Sequence, residues 1–569
     1  MVHHFAMRIF ILSALALLCS SAHAQLLVDG RHACLDTQTG TLLATIPESM
    51  FGKDCQILVE KEPGWQQVII EGSDIDKGSF PFSQISAESK WAVTATKDDG
   101  TQIQTTLQFT FLPIVRLLGT FGNEYQAGTF IFLHPESATT DTLTAKIKWR
   151  GGTTNAANKH KRNYKISFDK DHSFFGLRND DKWMLDAGQP DVFRLRNRIA
   201  MDVWNKIARK PYYADQEPKA LNGVRGDIVE MFLGDEWRGI YNLSEVIDRK
   251  QLKLKKMDDK TGDIHGCLYK SINWDKVKMF EFLSDYDNTK DVFYGFEMKY
   301  PDLEDSDTVD WAPLVTAVNF LEGSTNEDFE EHVGDYFDIP VVMDYNIFFN
   351  VVNAVDNGGK NMYWGIYDKA STKRLTPTPW DLDATFGQRW GGRLIEEVDE
   401  GFYHSPEFRL DLELNLTYRF YRDNANDYLG LLNKRYQQLR QIGQPLHTDS
   451  ILAIVDHYYH AIKKSGAASR EEAKWSGDSD VWGDVIDFDT EYAYICDWIK
   501  RRMKFIDETE LPLFYKKSYF DELSVASVLL SNTDNHAIYD LSGRLVAKET
   551  MAGLKPGLYI RNGKKILLK

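Results

Sequence analysis

The sequence contains two short stretches of oxygen-bearing side chains that could hold a divalent cation. Asp356 and Asn361 lie in a glycine-rich break, and Asp381 and Asp383 belong to the Pro-Trp-Asp-Leu-Asp run at 379–383. Mg²⁺ is a hard cation that binds oxygen ligands, usually a few carboxylates together with substrate phosphates. Because side chains alternate in an extended segment, we expect Asp381 and Asp383 on the same side, where both could face one ion. The alternative is that both stretches are turns, which Asp and Asn beside Gly commonly form.

The segment between these stretches predicts a β-hairpin. Met362–Tyr367 and Lys373–Thr376 are apolar or β-branched runs, and the polar Asp368–Thr372 separates them. The two acidic stretches then lie at the two ends of a hairpin, where the backbone can bring them together. Protein kinases place a catalytic Asp, a metal-binding Asn and a second metal-binding Asp in the same order around their phosphoryl-transfer site.

A second group of candidate residues lies in the first half of the chain. The turn Arg150–Asn155 follows the predicted strand Thr142–Trp149, and its Gly151 and Gly152 could let backbone N–H groups approach a phosphate. Lys165 lies on the next predicted strand, Asn163–Asp169, where it could point into a cleft as the phosphate-binding lysine of kinases does. The basic cluster 159–162 is expected to be a solvated charge run.

The elements that must position these residues follow the order of a kinase small lobe and then a helical large lobe. The small-lobe elements are strands at 129–133, 142–149, 163–169 and 181–185, a helix at 192–208 capped by Asp191 with Arg196 and Arg198 toward solvent, and a hairpin at 227–233 and 238–243. Predicted helices of the large lobe run over 309–322, 326–337, 340–353, 407–440, 449–464 and 489–508.

Five sequence blocks carry a specific resemblance. The chain resembles the spore coat protein CotH kinase family from about Ile114 to Tyr515, in the blocks KIKWRGGTTNAANKHKRNYKISFDK, DKWMLDAGQPDVFRLRNRIAMDVWNKI, IVEMFLGDEWRGIYNLSEVIDR, FEMKYPD and VDNGGKNMYWGIYD…TPTPWDLDATFG. The resemblance implies a bilobal, atypical protein-kinase-like domain within an α+β chain. It also implies transfer of phosphate from ATP to Ser or Thr of exported or surface proteins, with Mg²⁺ as cofactor.

The resemblance assigns roles to five residues. Asp356 would be the catalytic carboxylate, Asn361 and Asp381 would bind metal, and Lys165 and Arg196 would hold phosphates or order the cleft. The chain departs from the family after Gly151, where Gly152–Asn158 replaces a short Asn-Ser-Ser-Trp stretch. No Glu of the sequence matches the helix partner of a kinase lysine.

The flanking regions predict export and two accessory domains. Residues 1–24 have the apolar core and Ala22-His23-Ala24 site of a signal peptide, with lipidation at Cys19 as an alternative. Residues 25–113 predict an immunoglobulin-like β-sandwich ahead of the kinase-like domain at 114–516. Residues 520–569 resemble the C-terminal sorting domains of secreted Bacteroidetes proteins. We therefore expect a secreted, periplasmic or cell-surface protein.

Composition and net charge limit the classes of partner that the chain is expected to bind. The chain of 569 residues has a net charge of −17, which argues against nucleic acid and anionic membrane surfaces as partners. No stretch after the signal peptide is long and apolar enough to span a membrane. In an oxidising compartment Cys34 and Cys55 could form a disulfide.

Two other functions remain open because an exported protein meets little ATP. The chain could be a non-catalytic surface-binding or adhesion protein on a kinase-like scaffold. A glycan hydrolase would need two opposed carboxylates, and no such pair is recognisable. The aromatic loop Trp475–Trp482 predicts either a sugar-binding platform or a packed loop.

Overall fold

The computed structural model describes most of the chain. It covers residues 26–75, 78–273, 283, 285–304, 306–392, 394, 398, 415–510, 538–539, 545–547, 554–561 and 564–568. The predicted signal peptide with Cys19, and residues 520–537 of the predicted C-terminal domain, lie outside these residues. The chain divides into a first compact unit (Met1–Arg194, Gly226–Glu245 and Asp456–Glu491) and a second (Leu195–Arg225, Val246–Val455 and Tyr492–Lys569).

Two sheets form the N-terminal part of the first unit. One has the strand order β2-β1-β5-β8 and the other β3-β4-β10-β9-β6-β7, with β10 parallel to β4. The strands are β1 (Leu26–Val28), β2 (Arg31–His32), β3 (Cys34–Asp36), β4 (Thr41–Thr45), β5 (Cys55–Lys61), β6 (Trp65–Ile70), β7 (Ser73–Asp74), β8 (Gly78–Phe82), β9 (Trp91–Lys97) and β10 (Gln102–Thr110). The immunoglobulin-like assignment and the domain boundaries stay predictions.

A closed seven-stranded barrel follows. Its strand order is β11-β12-β13-β14-β15-β17-β16, and the parallel pair β11 and β16 closes it. The strands are β11 (Ile114–Leu118), β12 (Gln126–Leu133), β13 (Thr140–Arg150), β14 (Asn163–His172), β15 (Asp180–Asp186), β16 (Gly226–Leu233) and β17 (Glu236–Glu245). All the strands predicted for the small lobe are therefore present.

Alternating side chains fill the barrel and attach the N-terminal sheets to it. On β14 the buried Tyr164, Ile166 and Phe168 belong to the barrel core, because every second side chain points inward. On the outside, Cys34 and Leu43 pack in one apolar cluster with barrel residues Ile114, Leu133, Phe232 and Trp237. The N-terminal sheet with β3 and β4 thus shares a core with the barrel.

The helix predicted at 192–208 begins later than expected. Helix α1 spans Arg196–Ile207, and Asp191 does not cap it. Asp191 Oδ1 accepts the N–H of Phe193 at 2.9 Å, and the backbone φ of Arg194 is +62°. A left-handed residue cannot continue an α-helix, so the helix starts after it. The expectation that Arg196 and Arg198 face solvent is also wrong, because they are only 0% and 2% exposed.

The remaining elements combine a sheet with helices. The sheet order is β19-β20-β18-β21-β22, from β18 (Cys267–Ser271), β19 (Val292–Phe293), β20 (Phe296–Tyr300), β21 (Met362–Ile366) and β22 (Thr376–Pro379). The helices are α2 (Arg249–Leu252), α3 (Ala312–Gly323), α4 (Asn326–Tyr336), α5 (Ile339–Val352), α6 (Asn415–Asp423), α7 (Tyr428–Arg440), α8 (Thr448–Lys464), α9 (Ala467–Trp475) and α10 (Phe488–Phe505). The fold is thus mixed α+β, as predicted, whereas the bilobal arrangement stays a prediction.

Three further findings concern the sequence predictions. The single helix predicted over 407–440 is divided, because Asn424, Asn426 and Asp427 have positive φ between α6 and α7.

A small C-terminal sheet has the order β24-β23-β25-β26, from β23 (Ile538–Tyr539), β24 (Leu545–Ala547), β25 (Gly557–Arg561) and β26 (Lys564–Leu568). No helix in the described part of the chain has the length and apolarity that a membrane span needs.

The predicted disulfide is absent. Cys34 and Cys55 are both free thiols, and they lie on β3 and β5 in different sheets. Burial in the apolar cluster raises the pKa of Cys34 to about 11. Cys267 is likewise a buried thiol, and burial raises its pKa to about 12.

Candidate functional site

The predicted hairpin is present and joins the two acidic stretches, although its second strand is β22 at Thr376–Pro379 rather than the predicted Lys373–Thr376. Strands β21 and β22 pair antiparallel, with Met362 opposite Pro379. Just beyond this pair, the backbone N–H of Trp380 donates to the carbonyl of Asn361 at 2.9 Å. The backbone of the glycine-rich loop therefore meets the backbone that leads into Asp381.

Asp356 and Asn361 form a direct side-chain contact. Asn361 Nδ2 donates to Asp356 Oδ2 at 2.8 Å and to the Asp356 carbonyl at 3.2 Å. Asn361 has a φ of +56°, a left-handed conformation that Asn tolerates better than most residues, and it is only 6% exposed. The amide thus fixes the carboxylate through one oxygen.

Asn357 is a supporting residue that sequence reasoning missed. Its fully buried side chain donates from Nδ2 to the carbonyls of Trp380, at 2.7 Å, and Asn361, at 3.2 Å. The Tyr345 hydroxyl of α5 donates to the Asn357 carbonyl at 2.6 Å. These bonds tie the loop to α5 on one side and to the hairpin end on the other. An Asn directly before two glycines was the available signal, because Asn side chains often bond nearby backbone groups.

Lys360 is a second residue that was missed. Its Nζ lies 3.1 Å from Asp356 Oδ2 and 3.4 Å from Asp356 Oδ1, and both side chains are largely buried. A lysine that directly precedes Asn361 and stands four residues after Asp356 was the signal in the sequence. A cation at this position balances the Asp356 charge and is also suited to an anionic substrate.

Asp381 and Asp383 do not lie in the extended segment that the sequence predicted. Strand β22 ends at Pro379, and the φ of Asp381 is +59°, so the segment is not extended and the period of two does not apply. Asp381 is exposed and Asp383 is half-buried. Between them the N–H of the buried Leu382 donates to Asn197 Oδ1 of α1 at 3.1 Å. This bond places the start of α1, where Arg196 lies, beside the acidic segment.

The phosphate-binding candidates Lys165, Gly151 and Gly152 belong to the first unit, whereas Arg196 belongs to the second. Lys165 is half-buried on β14, between core residues Tyr164 and Ile166, so its side chain leaves the barrel on the outer face. Gly151 and Gly152 are exposed.

Gly151 and Gly152 differ in whether the structure at their position requires a glycine. Gly151 has a φ of +112°, and a Cβ there would lie 2.1 Å from Thr154 Oγ1. Gly152 has nothing within 4 Å of such an atom. The backbone conformation therefore requires glycine at 151 but not at 152.

The chemistry of the predicted metal ligands fits Mg²⁺, since Asn361, Asp381 and Asp383 offer oxygen donors. Among the described residues, the possible ligand atoms of three other side chains lie within 4.8 Å of one another. These side chains are His160, Asp478 and Asp480, and none of them belongs to the predicted metal site.

Hydrogen bonds within the chain account for the His160 group. His160 Nδ1 lies 2.9 Å from Asp478 Oδ2, and Asp480 Oδ2 accepts the N–H of both His160 and Lys161 at 2.8 and 2.7 Å. These contacts hold the loop after α9 against the segment that precedes β14.

A buried ion cluster in the first unit was also missed by sequence reasoning. Glu471 Oε1 accepts from Lys161 Nζ and from Arg194 Nε, both at 2.8 Å, and Glu471 Oε2 accepts the N–H of Ile240 at 2.8 Å. All three charged side chains are at most 1% exposed, so the basic cluster 159–162 is not a solvated run at Lys161. No local signal links residues separated by 310 positions.

Burial and charge set the protonation of this cluster. Burial lowers the pKa of Lys161 to about 7, and Glu471 opposes that shift while Arg194 adds to it. Burial alone would raise the pKa of Glu471, but Lys161 and Arg194 bring it below its usual range. Glu471 is therefore ionised, and Lys161 is the member that can lose its proton.

Comparison with known proteins gives one match. The profile of a family described as CotH kinase protein matches residues 147–506, which is more than half of the chain. No curated protein matches the chain.

Proposed function

Because the chain belongs to the CotH kinase protein family, we propose that it is a secreted atypical protein kinase. It transfers phosphate from ATP to Ser or Thr of an exported or surface protein and depends on Mg²⁺. The observation that carries the proposal is the hydrogen bond between Asn361 and Asp356 at the end of the β21–β22 hairpin. A carboxylate held by an amide and flanked by a lysine suits general-base and phosphate-orienting roles.

Asp356 is the proposed base. Its carboxylate accepts the proton of the acceptor hydroxyl as that oxygen forms a bond to the γ-phosphorus of ATP, and the bond to the bridging oxygen breaks to release ADP. The Asn361 amide keeps the Asp356 carboxylate in one orientation, since it donates to Oδ2 at 2.8 Å. Lys360 Nζ, beside Asp356, offers N–H donors to the transferring phosphoryl group.

Asn361, Asp381 and Asp383 are the residues proposed to hold Mg²⁺, which would neutralise charge on the phosphates when bound. Exposure of Asp381 leaves its carboxylate accessible to an ion that also carries phosphate oxygens. Arg196, Lys165, Gly151 and Gly152 are proposed to contact the phosphates.

The experiment compares full-length variants in a phosphate-transfer assay with labelled ATP and Mg²⁺. We expect Asp356→Asn to abolish transfer while nucleotide binding remains, and Asp381→Asn to lose both. Thermal shift reports binding, because a ligand at a hundredfold excess over its Kd stabilises the fold by about 2.7 kcal/mol. The control is Asp497→Asn, which changes an exposed carboxylate paired with Arg501. Transfer that survives in both site variants would refute the assignment.

A second candidate is a non-catalytic surface-binding protein on the same scaffold. It is favoured by one observation, namely that Asp356, Asp381 and Asp383 do not form a group of three ligand atoms within 4.8 Å of one another in the described part of the chain. This candidate predicts no transfer and no Mg²⁺-dependent nucleotide stabilisation in the wild-type protein, so the same assays separate the two.

A further inference from the structure

A basic pocket lies at one end of the barrel in the first unit. It opens where β11, β13 and β16 finish and β14 and β17 begin, and its volume is about 620 Å³. This size falls within the range of about 300–1,000 Å³ that is usual for small-molecule sites. None of its lining residues belongs to the proposed phosphoryl-transfer site.

The charge of the pocket lining is strongly unbalanced. One carboxylate faces it, Glu236, together with four basic side chains, namely Lys159, Arg162, Arg238 and Lys474; of these, Lys159 also lies 3.7 Å from Asp480, which is outside the lining. Glu236 Oε1 is shared by two of them, since Arg238 lies 2.7 Å and Lys474 2.9 Å from this oxygen. One negative charge cannot neutralise two cations, so this wall keeps a net positive charge.

Arg162 supplies further positive charge to the pocket lining. Its guanidinium lies 4.4 Å from the Trp149 ring centroid and donates to the carbonyls of Ala156 at 2.7 Å and Ala157 at 3.3 Å. Within the described part of the chain it forms no ion pair, although it is only 8% exposed. Two of its five N–H groups are used by these carbonyls, which leaves donors for a ligand.

Aromatic rings hold these cations in place. Arg162 lies over Trp149, and Arg238 lies 5.1 Å from the ring centroid of Trp475. Stacking restricts a guanidinium before a ligand arrives, so less conformational entropy is lost on binding. For Trp475 the sequence left open a sugar platform or a packed loop, and the residue is packed, since it is buried, and also supports a cation.

We propose that this pocket binds the tetrahedral anionic group, phosphate or sulfate, of a small ligand. Such a group presents several oxygens in different directions, which suits several arginine and lysine donors around one pocket. It also supplies the negative charge that Glu236 alone does not. A planar carboxylate carries less charge and fewer oxygens, so it binds more weakly here.

The test is a calorimetric titration of the full-length protein with inorganic phosphate, sulfate, glucose 6-phosphate and glucose 6-sulfate, with glucuronate as the carboxylate comparison. We expect inorganic phosphate or sulfate to bind, and the tighter of the two glucose esters identifies the source of the group. Lys474→Met and Arg162→Met should each weaken binding by about tenfold or more, because a hydrogen bond to a charged group is lost.

Lys463→Met is the matched control. Lys463 has the same charge and lies near the C-terminal end of α8, where it pairs with Asp489 outside the pocket. It should leave the affinity unchanged, and Lys474→Met keeps the test valid if Arg162→Met does not fold. Equal weakening by Lys474→Met and Lys463→Met, no binding of either inorganic anion, or glucuronate binding as tightly as the esters would each overturn the proposal.

Discussion

The replacement Glu471→Gln gives the sharpest test of how the first unit is held together. Gln has nearly the shape of Glu but lacks its charge. In the wild-type protein Oε1 accepts from Lys161 and Arg194, and Oε2 accepts the N–H of Ile240. The amide NH₂ of Gln must therefore face at least one donor, and two cations that are at most 1% exposed lose their counter-charge.

The expected loss in the free energy of unfolding is large because the cluster is buried away from water. Removing one partner of a buried ion pair typically costs about 3–5 kcal/mol, since the remaining charge stays buried. Natural proteins have total stabilities of about 5–15 kcal/mol, so the loss is a substantial part of the whole. The matched control is Glu48→Gln, which removes an equally close contact, to Lys464 at 2.8 Å, between side chains that are 55% and 52% exposed. An exposed pair contributes about 0–1 kcal/mol.

The assay is urea unfolding followed by hydrogen exchange of peptides from β17, because Ile240 reports directly on the cluster. We expect Glu471→Gln to lower the free energy of opening by about 3–5 kcal/mol and Glu48→Gln to change it by less than about 1 kcal/mol. If both variants lose the same small amount, the cluster does not stabilise the fold through its charge, and the reasoning is refuted.

Three further predictions follow from single contacts. The Lys161 pKa falls from 10.5 to about 7 on folding, so the unfolded chain binds more protons between these two pH values. The free energy of unfolding should therefore rise with pH in this range, by up to about 1.4 kcal/mol per pH unit. Urea unfolding of wild type and Lys161→Met across this range should show the rise only in wild type. Gly387→Ala places a Cβ 2.7 Å from Trp498, and overpacking should cost about 1–3 kcal/mol in thermal unfolding beyond the loss in Gly443→Ala, where φ is also positive but nothing lies within 4 Å. Asn357→Ala removes two hydrogen bonds and should speed hydrogen exchange at the Trp380 amide; an unchanged rate would mean that Asn357 does not hold the hairpin end.

Local patterns predicted the parts of the structure that depend on neighbouring residues. The strands of the barrel and the β21–β22 hairpin follow from alternation and polar breaks, because side-chain period and turn chemistry are written in a few consecutive residues. The contact between Asp356 and Asn361 was within reach for the same reason, since both lie in one short loop.

Features that depend on a single backbone angle or on distant partners could not be read in this way. Positive φ at Arg194 delays α1, and positive φ at Asp381 removes the alternation assumed for the acidic run. Neither residue is a glycine, and only tertiary contacts hold such angles in place. The barrel likewise closes through the parallel pair β11 and β16, which joins strands more than a hundred residues apart in sequence.

Buried charge was the main source of error in the sequence reasoning. Charged side chains are rarely fully buried unless they are paired, so Lys161 was expected in solvent, and Arg196 in solvent or in a ligand cleft. For Lys161 and Arg194 the pairing residue is Glu471, which lies on α9 about three hundred residues away. Among the described residues, Lys161 has a buried glutamate partner, Glu471, and this partner comes from α9. A nucleotide assay of Lys165 variants alone would not probe that pair, so the phosphate-binding role proposed for Lys165 must be tested separately from the stability that Lys161 and Glu471 provide.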